Sequence, residues 1–286
     1  MVTSIDITQE LIRLDTLSNI VETFQEIATT RMQRVRDQVL RNRVFLTGID
    51  KIYYQVSASY KEELLKLKSR KNARNEVLVR NGRSATVLIS ANSNLYGTIL
   101  PKTYKLFIED PLHNSSDIFI IGKIGKALFE GTSKNPFTYI ELSDSGFTND
   151  ELKVIRDKLI PYSHVVMYHG LYRTILTQDA ISEDIVGINK EDHPNEPLMK
   201  WLFEPNLEEI IKYFESQIFS SNLTQHMHES ELAKLASRTI SLEDSRNNIK
   251  DAIKKTQLKK AIIQHQEKNR KQMNNLIGVY FRSYKT

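Results

Sequence analysis

Gly122-Lys123-Ile124-Gly125-Lys126 is the stretch of this 286-residue chain that most resembles a phosphate loop. Such a loop needs a glycine, a four-residue gap and then Gly-Lys-Ser or Gly-Lys-Thr, so that backbone amides and one ammonium converge on the anion. That spacing is missing, and the segment is expected to be a strand-to-helix turn. No Gly-x-Gly-x-x-Gly occurs, so there is no dinucleotide fingerprint. His226 and His228 stand two apart, which on a helix turns the rings away from one another, and His228-Glu229 lacks the second histidine of a zincin motif. Both are expected at the surface. His164 and His169, five apart on an expected strand, should face opposite sides and make poor ligands. Asp144, Asp150 and Glu151 lack an EF-hand order and read as loop solvation and helix capping. The absence of cysteine excludes disulfides, thiolate metal sites and a thiol nucleophile. No Ser-His-Asp or paired-carboxylate arrangement emerges from the spacing. The spacing therefore identifies no active site, and no cofactor and no metal are expected.

What the sequence does specify is architecture. All seven prolines and eight of the ten glycines lie between Gly82 and Pro205, leaving 47 residues before Gly48 and 72 between Pro205 and Gly278 with neither. Proline removes a helical donor and glycine forfeits backbone entropy, so their absence permits uninterrupted helix. Two long helices bracketing one domain are predicted. The C-terminal run alone could extend about 108 Å at about 1.5 Å per residue. A helix of that length needs a partner along its side, and the other helix is the obvious one.

In the N-terminal run Ile7, Leu11, Leu14, Leu17, Val21, Phe24, Ala28, Met32, Val35 and Val39 follow at steps of three or four. That is the spacing of a coiled-coil seam. The helix starts near Ser4 or Asp6 and continues past Gly48 through Ile49, Ile52, Tyr53, Val56, Tyr60 and Leu64. In the C-terminal run, Asn206 is the expected N-cap, and Leu207 to Phe219 carry an amphipathic pattern rich enough to pack on a domain. Beyond Leu223 a diluted seam remains, with Leu235, Leu242, Ile249, Thr256 and Ile263 at seven-residue spacing among Lys, Gln and Asn. The expected seam is Leu14, Val21, Phe24, Ala28, Met32 and Val35 against Leu242, Ile249 and Ile263.

Between the helices, short apolar runs at Ala85 to Ile89, Ile118 to Ile121, Tyr139 to Leu142 and Val165 to Tyr168 alternate with helical stretches at Tyr104 to Ile108, Ile124 to Phe129 and Asn149 to Leu159. This alternation predicts an α/β layer with a mostly parallel sheet. Thr174 to Ile188 and Trp201 to Phe203 are read as a further strand or an irregular return. The expected division is residues 1–70 and 206–286 for the helices and 71–205 for the α/β domain.

Charge is uneven. Residues 246–286 hold eleven Lys and Arg against Asp251 and Glu267, a surplus of nine in a chain whose total is +5. No stretch approaches the roughly 20 apolar residues of a membrane span, and Met1 to Glu10 lack a signal pattern, so a cytoplasmic chain is expected, at most peripheral to a membrane. Three readings stay open at this point. They are a shaft, a basic coiled coil binding nucleic acid through Lys254, Lys255, Lys259 and Lys260, and an α/β enzyme with a helical dimerisation stalk.

The register of Ile7, Leu11, Leu14, Ile20, Phe24, Ile27-Ala28, Arg31-Met32 and Arg43-Val44-Phe45 resembles the opening helix of the gamma subunit of F-type ATP synthases, where the last group is commonly Arg-Pro-Tyr. Val87-Leu88-Ile89-Ser90 with Leu95-Tyr96-Gly97-Thr98-Ile99 is similar to that family's strand and Ser-Thr-Asp-Arg-Gly-Leu-Cys-Gly-Gly-Leu loop. Ile120-Ile121-Gly122 with Gly125, Leu202-Phe203-Glu204-Pro205 and Glu215-Ser216-Gln217 resemble its later segments. The chain departs at Asn92 and Ser93, where Asp-Arg is usual, at Asn94 and Thr98 in place of glycines, and at Asn19 and Glu22 where lysines are common. Leu242 to Asn248 and Lys259 to Ile263 match the last helix in two registers five residues apart.

The resemblance implies an antiparallel coiled coil of the terminal helices with a central Rossmann-like α/β domain. It implies a rotor shaft inside a ring of alternating alpha and beta ATPase subunits, with an epsilon-type subunit and a membrane c-ring as further partners. Nucleic acid is then not expected, and the membrane is met only through the complex, at the cytoplasmic face of the plasma membrane. Ile20, Ile27, Arg31, Lys254, Lys255, Lys259 and Lys260 become candidate contacts with the stator. The complex would be a standard or a specialised rotary ATPase.

Overall fold

The computed structural model describes residues 4–60, 80–143, 146–186, 204 and 206–283, with side chains described over 6–60 and 206–277 in the terminal helices. The expectations for Leu64, Asp144, Trp201 to Phe203 and Pro205 lie outside these residues. The chain divides into two compact units, residues 29–238 and residues 1–28 with 239–286.

Two helices run the lengths that the missing prolines allow: α1, Ser4–Ser59, and a helix of 77 residues, Leu207–Ser283. Between them come β1 (Ser84–Ile89), α2 (Ile99–Glu109), a 3-10 turn at Pro111–Asn114, β2 (Asp117–Ile121), α3 (Lys123–Thr132), β3 (Phe137–Ile140), α4 (Asn149–Leu159), β4 (His164–Tyr172) and β5 (Gln178–Asp184). The helix Leu207–Ser283 is thus α5. Asn206 caps it as expected, its Oδ1 accepting from the Glu209 amide at 3.0 Å.

Within residues 29–238 the five strands lie in the order β3-β2-β1-β4-β5. The first four are parallel, and β5 pairs antiparallel to β4 at the edge. Strand β1 is central, Val87 standing between Phe119 of β2 and Met167 of β4. Both faces are covered, which is why β1 and β2 read as continuous apolar runs. On one face Val87, Ile89, Ile121 and Met167 pack with Ile155 and Leu159 of α4 and with Phe219, Leu223 and Met227 of α5. On the other, Leu88, Ile120 and Tyr168 pack with Phe107 of α2 and Phe129 of α3. Each fully buried large apolar side chain contributes about 1.5–3 kcal/mol relative to exposure. Within residues 29–238 the long helix is therefore a layer of the α/β core.

Several boundaries differ from the sequence reading, β4 for one running on to Tyr172. Helix α2 begins at Ile99, because Ile99, Leu100, Thr103 and Phe107 bury one face and Pro101 falls in the first turn, where a missing amide costs nothing. Strand β3 starts two residues earlier than expected, paired from Ile118 with Phe137; Leu142 is buried beyond its end, where the Asn92 side chain donates to the Leu142 carbonyl. The ambiguous return after Thr174 contains β5.

In the same unit α1 and α5 run antiparallel, since partners on α5 fall in number as those on α1 rise: Arg31 with Glu231, Asn42 with Gln225 and Tyr53 with Glu215. Buried Val35, Val39, Ile49, Tyr53 and Val56, with half-buried Asn42 and Leu46, keep the alternating steps of four and three.

In the unit formed by residues 1–28 and 239–286, Val21 packs with Leu242, Ile249 and half-buried Ile253. Ile7 and Ala28 are also buried, and Leu11, Leu14, Ser18 and Gln25 are half-buried. Two expected seam members lie elsewhere, Leu17 being 50% and Phe24 41% exposed. The seven-residue repeat Ile7, Leu14, Val21, Ala28 can be completed on either flank. Here polar Ser18 and Gln25 complete it, because Gln25 Nε2 donates to the Glu243 carboxylate at 2.9 Å.

Candidate functional site

A mostly parallel sheet offers its ligand crevice beyond the carboxyl ends of the strands, where the strand order reverses. In this chain that place lies past Ile89, between β1 and β4, and α5 packs there. Lys234 Nζ donates to the Ser90 carbonyl at 3.0 Å, and Ser237 Oγ donates to the Tyr96 carbonyl at 2.9 Å. The Arg238 guanidinium lies 5.3 Å from the centre of the Tyr96 ring, a cation–π contact. Gly170 on β4 makes the close approach possible, since a Cβ there would sit 2.8 Å from Ile99 Cγ1 and 3.0 Å from Ala233 Cβ. What remains is a cavity of about 30 Å³ lined by Ser90, Gly122, Phe147, Met227, Glu231 and Lys234. That is room for about one water, not for a nucleotide.

Beside the apolar cluster of Ile49, Tyr53 and Val56 with Ile211 and Ile218, polar contacts also join α1 to α5 in this unit. Arg31 pairs with Glu231 at 3.2 Å and Arg43 with Glu229 at 3.3 Å. Asn42 Nδ2 donates to the Ser221 carbonyl at 2.9 Å and to Gln225 Oε1 at 3.0 Å, and Gln225 in turn donates to Glu229 at 2.6 Å. Such polar groups penalise any register that leaves them unpaired, as polar seam residues do in coiled coils.

The histidines are not where sequence spacing put them. His226 and His228, expected at the surface, are both largely buried, and His226 meets a histidine that the spacing argument had dismissed. Its Nδ1 lies 3.0 Å from His169 Nε2 and 3.3 Å from the Glu183 carboxylate. His169 is wholly buried and its Nδ1 donates to the Gly170 carbonyl at 3.0 Å. Burial, then the neighbouring His169, pulls His226 down to about 3, and burial lowers His169 as well, so both rings are neutral at pH 7. Burial and the nearby Glu229 raise Glu183. His228 faces away from this group, its ring 4.6 Å from that of Phe147, and burial followed by the Arg41 charge lowers it to about 4.

Residues 1–28 and 239–286 present a different surface. Beyond the seam formed by Leu242, Ile249, Thr256 and half-buried Ile263, every described side chain from Gln264 to Ile277 is exposed. Lys254, Lys255 and Lys259 are exposed and Lys260 is half-buried. Ile20 and Ile27 are 49% and 48% exposed and, with Leu17 and Phe24, form an apolar stripe along α1. Glu243, bonded to Gln25 and next to Arg246, is held below the usual carboxylate range, the Gln25 hydrogen bond being the larger cause.

The ATP synthase family model matches residues 4–262. The chain belongs to the ATP synthase family. Its curated relatives there include the ATP synthase gamma chain of Mycoplasma mycoides, 18% identical over 246 residues that cover 84% of each chain. That of Mycoplasma pneumoniae is 23% identical over 189 residues, 62% of this chain and 67% of the relative. Among solved structures, the central stalk and c-ring of the Tetrahymena thermophila mitochondrial ATP synthase includes a chain that matches with a TM-score of 0.57 at 13% identity, covering 79% of this chain and 99% of that one. A chain of the Euglena gracilis mitochondrial enzyme matches with a TM-score of 0.51 at 13% identity, over 88% and 94%. The fold is thus that of a gamma chain, with long terminal helices and a mostly parallel sheet. No helix among the described residues is long and apolar enough to cross a membrane.

For this ATP synthase family member the residues singled out by spacing fall into two groups. Val21, Leu242 and Ile249 are brought together; Leu14, Met32 and Ile263 are half-buried, and Ala28 and Val35 are buried. Arg31, a stator candidate, is engaged by Glu231. The residues that join helix to sheet, Lys234, Ser237, Gly170 and Tyr96, carried one legible signal. Lys234 stands alone in the buried run Leu232, Ala233, Leu235, Ala236, where a charge must find a partner.

Proposed function

We propose that this chain is the central-stalk rotor of an F-type rotary ATPase, coupling ion flow through a membrane ring to ATP synthesis or hydrolysis in an alpha/beta ring. The observation that carries this reading is the change in character of α5. Where it belongs to residues 29–238 it is buried and hydrogen-bonded into a sheet. Where it belongs to residues 239–286 its burial narrows to one seam and ends after Ile263. A helix anchored in an α/β core can be turned with that core, and a polar shaft surface can slide.

ATP chemistry belongs to the ring. A rotor acts on it because a partner shifts a conformational equilibrium only through contacts that differ between the states. An asymmetric shaft offers each catalytic subunit a different face, and rotation carries each one through the cycle. Exposed Lys254, Lys255 and Lys259 make weak, replaceable ion pairs with acidic stator loops. The stripe Leu17, Ile20, Phe24 and Ile27 supplies apolar contact on the same shaft. An epsilon-type subunit and the c-ring grip the α/β domain, at the cytoplasmic face of the plasma membrane.

Co-expression with the alpha and beta subunits of the same organism tests this. The expected product is a complex with one copy of this chain per three alpha and three beta subunits. A chain that purifies alone, as monomer or homodimer, while alpha and beta assemble without it, contradicts the proposal.

A further inference from the structure

We propose that His169, His226 and Glu183 form a binding site for one divalent first-row transition ion of the zinc type. The three side chains come from β4, α5 and the edge strand β5, and their ligand atoms all lie within 4.8 Å of one another. Tetrahedral zinc with bonds of about 2.0–2.1 Å to nitrogen and oxygen places its ligand atoms roughly 3.3 Å apart. The spacings here are 3.0 Å from His226 Nδ1 to His169 Nε2 and 3.3 Å from His226 Nδ1 to Glu183 Oε2. The cluster is therefore close to the size of a coordination shell.

Two further features point to an ion. The His169 ring gives its Nδ1 proton to the Gly170 carbonyl, which leaves the Nε2 lone pair aimed at His226. A backbone carbonyl holding the far nitrogen is the usual support for a metal-bound histidine, fixing tautomer and ring angle. His226 Nδ1 meanwhile faces two acceptors, the His169 lone pair and the Glu183 carboxylate, and one N–H cannot align with both. An ion satisfies all three groups together. Binding requires His226 to carry its proton on Nε2, a tautomer shift that releases no proton. Two imidazoles and one carboxylate suit Zn²⁺, Ni²⁺ or Cu²⁺ better than Mg²⁺ or Ca²⁺. Glu183, half exposed, keeps one side open for a water as fourth ligand. Of the neighbouring charges, Glu229 favours the ion and Lys234 opposes it, with Lys234 Nζ drawn to the Ser90 carbonyl.

The ion would tie the edge strand and β4 to α5 within this unit. It would stiffen the joint that the rotor reading relies on, although the site stands on its own geometry and does not depend on that reading. The test uses the full-length chain, stripped with chelator and titrated with Co²⁺ by visible absorption and with Zn²⁺ by calorimetry. One equivalent of each is expected, with the intense d–d bands of four-coordinate Co²⁺. Glu183→Gln, a half-exposed position that leaves the fold intact, should weaken Zn²⁺ at least tenfold, and His226→Gln should abolish the Co²⁺ bands while circular dichroism shows the helices retained. Binding that is absent, or unchanged in both variants, overturns the proposal. Failure of the chain to assemble with alpha and beta subunits would leave the metal result unaffected, so the two readings fail separately.

Discussion

Lys234 on the long C-terminal helix donates to the backbone carbonyl of Ser90, at the end of the central strand, across 3.0 Å. The bond closes the crevice in which a sheet of this topology could hold a small ligand. Replacing Lys234 with Met keeps the aliphatic stem and removes the charge-assisted bond. A loss of about 1–3 kcal/mol is expected, measured by urea unfolding of the isolated chain. In the assembled complex the same variant should lower ATP-driven torque before it lowers hydrolysis, because the chemistry lies in other subunits.

Gly170 tests the same joint by volume. A methyl group there would meet Ile99 Cγ1 at 2.8 Å and Ala233 Cβ at 3.0 Å, so α2 or α5 must give way. Gly170→Ala should destabilise the chain by about 1–3 kcal/mol, the usual cost of overfilling a packed site. Pairing it with Ala233→Gly should recover part of that loss. Full additivity of the two costs in a double-mutant cycle would contradict the contact.

Acid should loosen the fold through its buried histidines, His228 as well as His226. The folded-state value of His228 is near 4, against 6.5 ordinarily, chiefly because burial disfavours the charged ring. Between those values the unfolded chain binds a proton that the folded chain refuses. The stability contribution is therefore complete above pH 6.5 and is lost as pH falls toward 4. His228→Phe, placed against Phe147, should remove part of the dependence of Tm on pH between 6.5 and 4, His226 keeping the rest, and an unchanged slope would contradict the role given to His228.

The basic shaft surface should govern assembly rate more than the fold. Changing Lys254, Lys255 and Lys259 together to Gln removes three of the surplus nine charges of residues 246–286. Helix content by circular dichroism should stay unchanged. Association with the alpha/beta ring should slow on the order of tenfold at low salt, and less at high salt, since screening already removes the attraction there.

How much of this was legible in the residues follows from the range of the interactions. The helix Asn149–Leu159 was read to the residue, because a capping box between Thr148 and Glu151 and the apolar positions Ile155 and Leu159 are local signals. Strands β1 and β2 were legible because both faces are buried and their runs are mostly apolar. Edge strand β5, with the polar sequence Gln178 to Asp184, carries no such pattern. The seam of α1 was legible in period but not in flank: apolarity favoured Leu17 and Phe24, while the partner helix chose Ser18 and Gln25 through Glu243. His169 and His226 are 57 residues apart and meet only because α5 packs on the sheet. No spacing rule along the chain could have joined them.

The most direct measurement of the central claim is rotation. The chain has no cysteine, so Lys134→Cys, at an exposed position after α3, creates a unique attachment point for a bead or gold rod. With the alpha/beta ring fixed to a surface and ATP supplied, the probe should turn in one direction, in steps that slow together with ATP hydrolysis as ATP is lowered. A probe that stays still while the same complexes hydrolyse ATP would contradict the account.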